Sequence, residues 1–218
     1  MKKPLVMAAV IVVLAAPAAQ GQGLPISVGV RASTLGFGAE LALGLTDRVE
    51  ARAVGNYFSL SRDMDLSNVP FNLDLKLKSA GGLLDLYLAG PLRLTAGGMW
   101  NGNELSGSAT ISGTVSIGDS TYTAGQVGKL TTALAFKKFA PYVGLGLSGR
   151  GKVSFFFDIG VVLQGSPDIT YVPTTTLTGA ARTVLLAEVD KEVQQVEDDI
   201  AFFKYYPVVG LGLRFKLR

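Results

Sequence analysis

Pro207-Val208-Val209-Gly210-Leu211-Gly212-Leu213-Arg214-Phe215-Lys216-Leu217-Arg218, the last twelve residues, alternates apolar Val209, Leu211, Leu213, Phe215 and Leu217 with Gly210, Gly212, Arg214 and Lys216. Successive side chains of a strand point to opposite faces, so this segment has one apolar face and one that is small or cationic. Such a strand suits a wall with hydrocarbon on one side and a polar interior on the other.

The same period runs back through the chain. Ile26, Val28, Val30 and Ala32 oppose Ser27, Gly29, Arg31 and Ser33. After a Thr34-Leu35-Gly36 turn, Phe37, Ala39, Leu41, Leu43 and Leu45 oppose Gly38, Glu40, Ala42 and Gly44. Thr46-Asp47 turns into Val49, Ala51 and Ala53 against Glu50, Arg52 and Asn56, and a polar loop with Asp63, Asp65, Asn68 and Pro70 follows. A fourth strand sets Leu73, Leu75 and Leu77 against Asp74, Lys76 and Lys78, then Leu84, Leu86 and Leu88 against Asp85 and Tyr87. The change of parity across Gly81-Gly82 reads as a β-bulge.

Gly90-Pro91 turns into Leu92, Leu94 and Ala96 opposed by Arg93 and Thr95, ending at Trp100. The Gly/Ser/Thr segment 102–128 is expected to hold a hairpin about a Gly118-Asp119 turn. Leu130 to Leu147 reads as one long strand interrupted at Ala140-Pro141, and Arg150-Gly151 leads to Val153, Phe155, Phe157, Ile159, Val161 and Leu163 against Ser154, Asp158 and Gln164. With the final strand this predicts an all-β, eight-stranded antiparallel up-and-down transmembrane barrel. Its tight turns fall on one side with both termini, and its long connections on the other. Trp100, Phe155, Phe157 and Phe215 are the expected membrane-interface aromatics.

The N-terminus carries Lys2, Lys3, an apolar run from Leu5 to Ala15 and a small-residue stretch to Gly21. It is read as a signal peptide over 1–21, leaving 22–218 as the barrel domain. No other stretch reaches eighteen consecutive apolar residues, although 48% of the chain is apolar and only 17% charged. Without Lys2 and Lys3 there are 18 basic and 17 acidic residues, a balance that gives nucleic-acid binding no support. The chain has no cysteine and no histidine, which removes thiolate chemistry, the usual serine-hydrolase base and the commonest zinc ligand. HExxH, GxSxG and Walker patterns are also missing, so neither an enzyme nor a cofactor is expected.

A soluble lipocalin-type barrel would turn the apolar set inward, crowding Val153, Phe155 and Phe157 into a small interior and leaving glycines on the water face. The 27 glycines fit better as small inward residues. With lipid outside, the inward set holds Arg31, Arg52, Arg93 and Arg214 with Glu40, Glu50, Asp85 and Asp158, four charges of each sign. In the lipid, each arginine near midplane would cost about 2–4 kcal/mol. The expectation is that these charges satisfy one another as a plug; the alternative is a narrow path whose pairs exchange as a small polar solute passes. Neighbouring Glu40 and Glu50 also admit a glycosidase-like pair, which any inward-charged barrel produces by chance. Between Thr183 and Phe203, the spacing of Leu186, Val189, Val193, Val196, Ile200 and Phe203 predicts an amphipathic helix, its remaining surface crowded with Glu188, Asp190, Glu192, Glu197, Asp198 and Asp199.

Gly36-Phe37-Gly38-Ala39-Glu40-Leu41, Ala140-Pro141-Tyr142-Val143-Gly144-Leu145-Gly146, Asp158-Ile159-Gly160 with Gly165-Ser166-Pro167, and Asp190-Lys191-Glu192 leading to Tyr206-Pro207-Val208-Val209 resemble, in order and spacing, the CarO-like outer-membrane proteins. These stand within the wider group of small barrels similar to the membrane domain of OmpA. The resemblance implies a monomeric eight-stranded barrel in the bacterial outer membrane and uptake of ornithine and other basic amino acids. The expected function is therefore a narrow porin-like route for small polar or basic solutes, with a non-conducting barrel that displays its outer loops as the alternative. Expected partners are outer-membrane lipid and lipopolysaccharide, the barrel-assembly machinery and small solutes.

Overall fold

A computed structural model of the chain describes residues 24–66, 69–110, 113–118 and 120–217. The leader expected over 1–21, Asn68 of the polar loop and Asp119 of the hairpin turn lie outside these residues. The strands are β1 (Ile26–Ser33), β2 (Gly36–Gly44), β3 (Val49–Leu66), β4 (Val69–Ala89), β5 (Leu92–Asn101), β6 (Glu104–Thr110), β7 (Thr114–Ile117), β8 (Ser120–Thr123), β9 (Lys129–Ala135), β10 (Phe139–Ser148), β11 (Val153–Leu163), β12 (Asp168–Pro173) and β13 (Tyr205–Lys216). A short helix, α1 (Ala124–Val127), follows β8. The long helix α2 (Gly179–Asp199) and a 3-10 turn (Ala201–Lys204) precede β13.

Antiparallel pairing runs β1–β2–β3–β4–β5–β10–β11–β13 and returns to β1. Short turns join β2 to β3, β4 to β5 and β10 to β11 at one end of this ring, the turn end, where the strands nearest both chain termini also meet through Ser27 and Lys216. Long excursions leave from the other end, the loop end. The wall keeps the period read from sequence. In β10 every residue from Phe139 to Ser148 alternates exposed and buried, with Val143, Leu145 and Leu147 outward and Gly144, Gly146 and Ser148 inward. Leu84, Leu86, Leu94, Phe155, Ile159 and Leu211 continue the outward apolar belt round the ring.

Thirteen strands are described, where the sequence reading expected eight. The additional five form a lobe at the loop end. Upper β4 pairs with β6, β6 with β9 and β9 with β12, while β7 and β8 make a separate hairpin. The stretch Leu130 to Leu147 is accordingly two strands in two places, β9 in the lobe and β10 in the ring, because Phe136 to Lys138 carry the chain from one to the other.

No bulge occurs at Gly81-Gly82. The β3–β4 register is unbroken from Val49 opposite Leu86 to Leu66 opposite Val69, and the one irregularity against β5 lies between Tyr87 and Ala89. From Leu73 to Tyr87 the odd residues of β4 keep to one side: Leu83, Asp85 and Tyr87 are buried, and Leu73, Leu75 and Leu77 are half-buried. What inverts at the glycines is the surroundings. Below them apolar side chains point out of the ring; above them Lys76 and Lys78 do, because the strand has left the apolar belt and entered a sheet with an ordinary apolar core.

That core contains Ile117, Tyr122, Val127, Leu130, Leu185 and Val189, with Val115, Tyr171, Leu177 and Val193 packed against it. The long helix therefore runs over 179–199 instead of 183–203, and its inner line is Leu185, Val189 and Val193. Leu185 is 0% exposed while Leu186, expected to lead the stripe, is 37% exposed. A four-residue step from Val193 and Val189 lands on Leu185, and this is the line that meets β7 and β12. No helix among the described residues is long and apolar enough to cross a membrane.

Candidate functional site

The ring places the expected inward charges in one connected cluster. Arg31 comes from β1, Glu40 from β2, Glu50 and Arg52 from β3, Asp85 from β4, Arg93 from β5, Asp158 from β11 and Arg214 from β13. Seven of them are buried, and Glu50 is partly exposed toward the turn end.

Arg52 is the hub. Its Nη1 donates to Glu40 Oε2 at 3.1 Å and to Asp158 Oδ2 at 3.2 Å, and its Nη2 donates to Asp85 Oδ1 at 3.0 Å. Arg93 bridges Asp85 Oδ2 at 2.6 Å and Asp158 Oδ1 at 2.8 Å, and the Thr95 hydroxyl donates to Asp85 Oδ1 at 2.6 Å. Arg214 donates through Nε and Nη2 to Glu40 Oε1 at 3.0 and 2.6 Å and through Nη1 to Glu50 Oε1 at 2.8 Å. Charge-assisted, multiply bonded pairs of this kind are the geometry in which mutual attraction can offset the cost of leaving water.

Arg31 is held differently. Its closest carboxylate oxygens are Glu40 Oε2 at 3.7 Å and Asp158 Oδ2 at 4.0 Å, beyond hydrogen-bond length, and its buried Nε has no partner. Four arginines and four carboxylates thus balance in charge, while three arginines are locked by hydrogen bonds and one is retained by field alone.

Inward glycines make the room. A Cβ on Gly146 would lie 2.5 Å from Asp158 Oδ1 and 3.0 Å from Arg93 Nε, and one on Gly210 would lie 3.1 Å from Arg31 Nη2. The carboxylates are spent on guanidinium groups, and among the described residues no group of acidic side chains is arranged to hold a metal ion.

Toward the loop end the interior changes character. Leu35, Val54, Leu83, Met99, Ala140, Tyr142, Val162 and Val208 pack into an apolar layer. Beyond it are amides: Asn56 Nδ2 donates to Ser79 Oγ at 3.0 Å, Asn101 Nδ2 donates to Gln164 Oε1 at 3.0 Å, and Gln164 Nε2 donates to the Phe203 carbonyl at 2.9 Å. Sequence reading set Asn56 and Gln164 of the amide layer on the inward face but missed the apolar layer. The signal was present, since Val54, Leu83 and Val162 share the parity of Arg52, Asp85 and Asp158, but an apolar residue on the polar face is invisible to a rule that seeks the greasier face.

The four expected aromatics point outward at opposite ends. Trp100 stands at the loop end, and Phe155 and Phe215 stand near the turn end; Phe157 is farther along β11, opposite Leu147 and Leu211. Phe37 opposite Tyr57, Phe139 opposite Trp100, and Tyr205 add to the loop-end band and were not singled out from the sequence. Phe37, Phe139 and Tyr205 are the first or second residues of their strands, the pattern that could have found them, whereas Tyr57 lies within β3.

No protein-family model matches the chain, and no curated protein matches it. Its fold is similar to that of CarO2 from Acinetobacter baumannii, with a TM-score of 0.59 and 20% identity over 90% of this chain and 100% of that one. It is also similar to CarO from the same organism, with a TM-score of 0.58 and 18% identity over 88% of this chain and 97% of that one. At these identities the likeness establishes a shared antiparallel barrel fold.

Proposed function

We propose that the chain is a bacterial outer-membrane barrel, sealed at rest, that holds a folded lobe above the outer surface for interaction with other molecules. In this reading the eight ring strands cross the bilayer, the exposed apolar belt meets acyl chains, and the loop end faces outward. The observation that carries the sealed state is the cross-linked interior: the side chains of Arg52 and Arg93 are 0% exposed and are bonded to carboxylates from β2, β4 and β11, with an apolar layer next along the axis. An ion entering from the loop end would lose its hydration in that layer before it met the charges. The likeness to CarO and CarO2 supports the outer-membrane placement, and the lobe, a packed domain on long connections, is where a surface role belongs.

A second reading, a narrow solute route, draws on Arg31. A buried guanidinium without hydrogen bonds, between two carboxylates already shared by other arginines, is the member of the cluster that could change partners without first breaking a bond.

Planar-bilayer recording on purified protein separates the two. A silent wild type, with conductance appearing only when the Arg93→Ala and Asp85→Ala pair is introduced, is expected for the sealed barrel. Steady wild-type conductance reduced by Arg31→Ala would replace it with the route.

A further inference from the structure

The loop end of the ring is chemically lopsided. Lys78, Lys137, Lys138 and Lys204 stand along the half formed by β4, β5, β10, β11 and β13, and all are exposed. On the other half, positions 34–37 and 55–57 hold no charged residue. Among the described residues none of the four lysines has a carboxylate partner. An interfacial belt that merely positions the barrel would not require this asymmetry.

Backbone bonds locate two of the lysines closely. Gly102 N–H donates to the Lys78 carbonyl at 2.8 Å, and Asn101 N–H donates to the Lys138 carbonyl at 2.6 Å, so the pair flanks one dipeptide at the end of β5. Two strand spacings put their backbones about 10 Å apart, with Trp100 next along the strand between them. Lys78 Nζ lies 5.6 Å from the Trp100 ring centroid, a cation–π contact that holds the ammonium over the indole. Trp100 in turn pairs with exposed Phe139, whose ring covers Gly98. The result is an aromatic shelf at the upper edge of the apolar belt, with the Lys78 ammonium over its indole and the exposed Lys138 immediately before Phe139 at its rim.

We propose that this sector, centred on Trp100 with Lys78 and Lys138, docks the phosphorylated headgroup of an outer-leaflet glycolipid. The lysines meet phosphate, the aromatic shelf meets the sugar face, and the acyl chains run down the wall past Leu84, Leu94 and Val143. The aromatic shelf and the belt beneath it favour a lipid over a free anion, for which two exposed lysines alone would be a poor site. The inference rests on the membrane placement proposed above.

The test is native mass spectrometry of the detergent-purified protein with added diphosphorylated lipid A, beside the same lipid with its phosphates removed and beside inorganic phosphate. Retention of one phosphorylated lipid by the wild type is expected, with weaker retention of the dephosphorylated lipid and none of inorganic phosphate. Removing two cationic contacts in the Lys78→Gln/Lys138→Gln variant should weaken retention about tenfold or more, while Lys78→Arg/Lys138→Arg preserves it. The turn-end pair Lys152→Gln/Lys216→Gln should change nothing. Equal retention of the two lipids by the wild type would overturn the proposal even if the Gln variant fails to fold, and so would a folded Gln variant that binds like the wild type. Insertion of wild-type protein into phosphatidylcholine vesicles is scored separately. Failure there removes the membrane placement, whereas insertion without phosphate preference removes only the lipid site.

Discussion

The ring and the lobe are made of the same antiparallel sheet, and β4 belongs to both, yet their interiors are opposite. Inside the ring, Arg52, Arg93, Asp85 and Asp158 are enclosed and Leu84, Leu86 and Leu145 face outward. Inside the lobe, Leu130, Leu185 and Val189 are enclosed, and Asp190, Glu192 and Asp198 of α2 face outward. The strand does not change phase between the two regions; its surroundings do. What a strand should bury is thus set by what lies outside it, and the point on β4 where the rule flips, near Gly81-Gly82, marks where the apolar belt ends.

The sharpest way to break this comparison is to empty one interior at a time. Arg52→Ala leaves Glu40, Asp85 and Asp158 short of their shared cation and is expected to destabilise the ring by about 3–5 kcal/mol, read by urea unfolding of the barrel in vesicles. Little or no loss would mean that the charges are solvated and the interior is wet. Leu185→Ala opens a cavity in the lobe core and should cost the lobe about 2–5 kcal/mol. Hydrogen exchange should then show faster exchange in β7, β8 and α2 with β10 and β11 unchanged; faster exchange in β10 and β11 would deny the two regions their separate cores.

Placing one charge on each outer surface sharpens the contrast. Leu145→Arg puts a cation on the apolar belt and should cost about 2–4 kcal/mol in a bilayer, again by urea unfolding. Leu186→Arg adds the same charge to a surface of α2 that already meets water, where the expected change lies within about 0.5 kcal/mol. Equal costs at the two positions would erase the distinction between the surfaces.

How much of this could be read beforehand follows from the same physics. A belt that must be apolar over its whole height imposes period two strand after strand, so Val143, Leu145 and Leu147 or Val153, Phe155 and Phe157 announce their face, and Arg31, Arg52 and Asp158 are driven to the other. The cluster of eight charges was legible for that reason, although its wiring, with Arg52 as hub and Arg31 unbonded, depends on side-chain reach across the ring and leaves no trace in spacing. The lobe was largely illegible. Its strands obey the opposite rule, so Leu73, Leu75 and Leu77 were read as a slipped wall, and β9 was fused to β10 because both are apolar and only three residues separate them. In α2 the apolar residues are sparse enough that Leu185 and Leu186 offer two stripes, and only the position of β7 and β12 selects between them.

The central claim is that the exposed apolar face of the ring lies against acyl chains, with the loop-end aromatics near their upper limit. Trp100 is the one tryptophan of the chain, which makes it a built-in depth gauge. Its fluorescence in vesicles of brominated phosphatidylcholines should be quenched most by bromines near the headgroup end of the chains, less by bromines near the bilayer centre, and only weakly by aqueous iodide. Strong iodide quenching with no response to any brominated lipid would place this face in water and contradict the account.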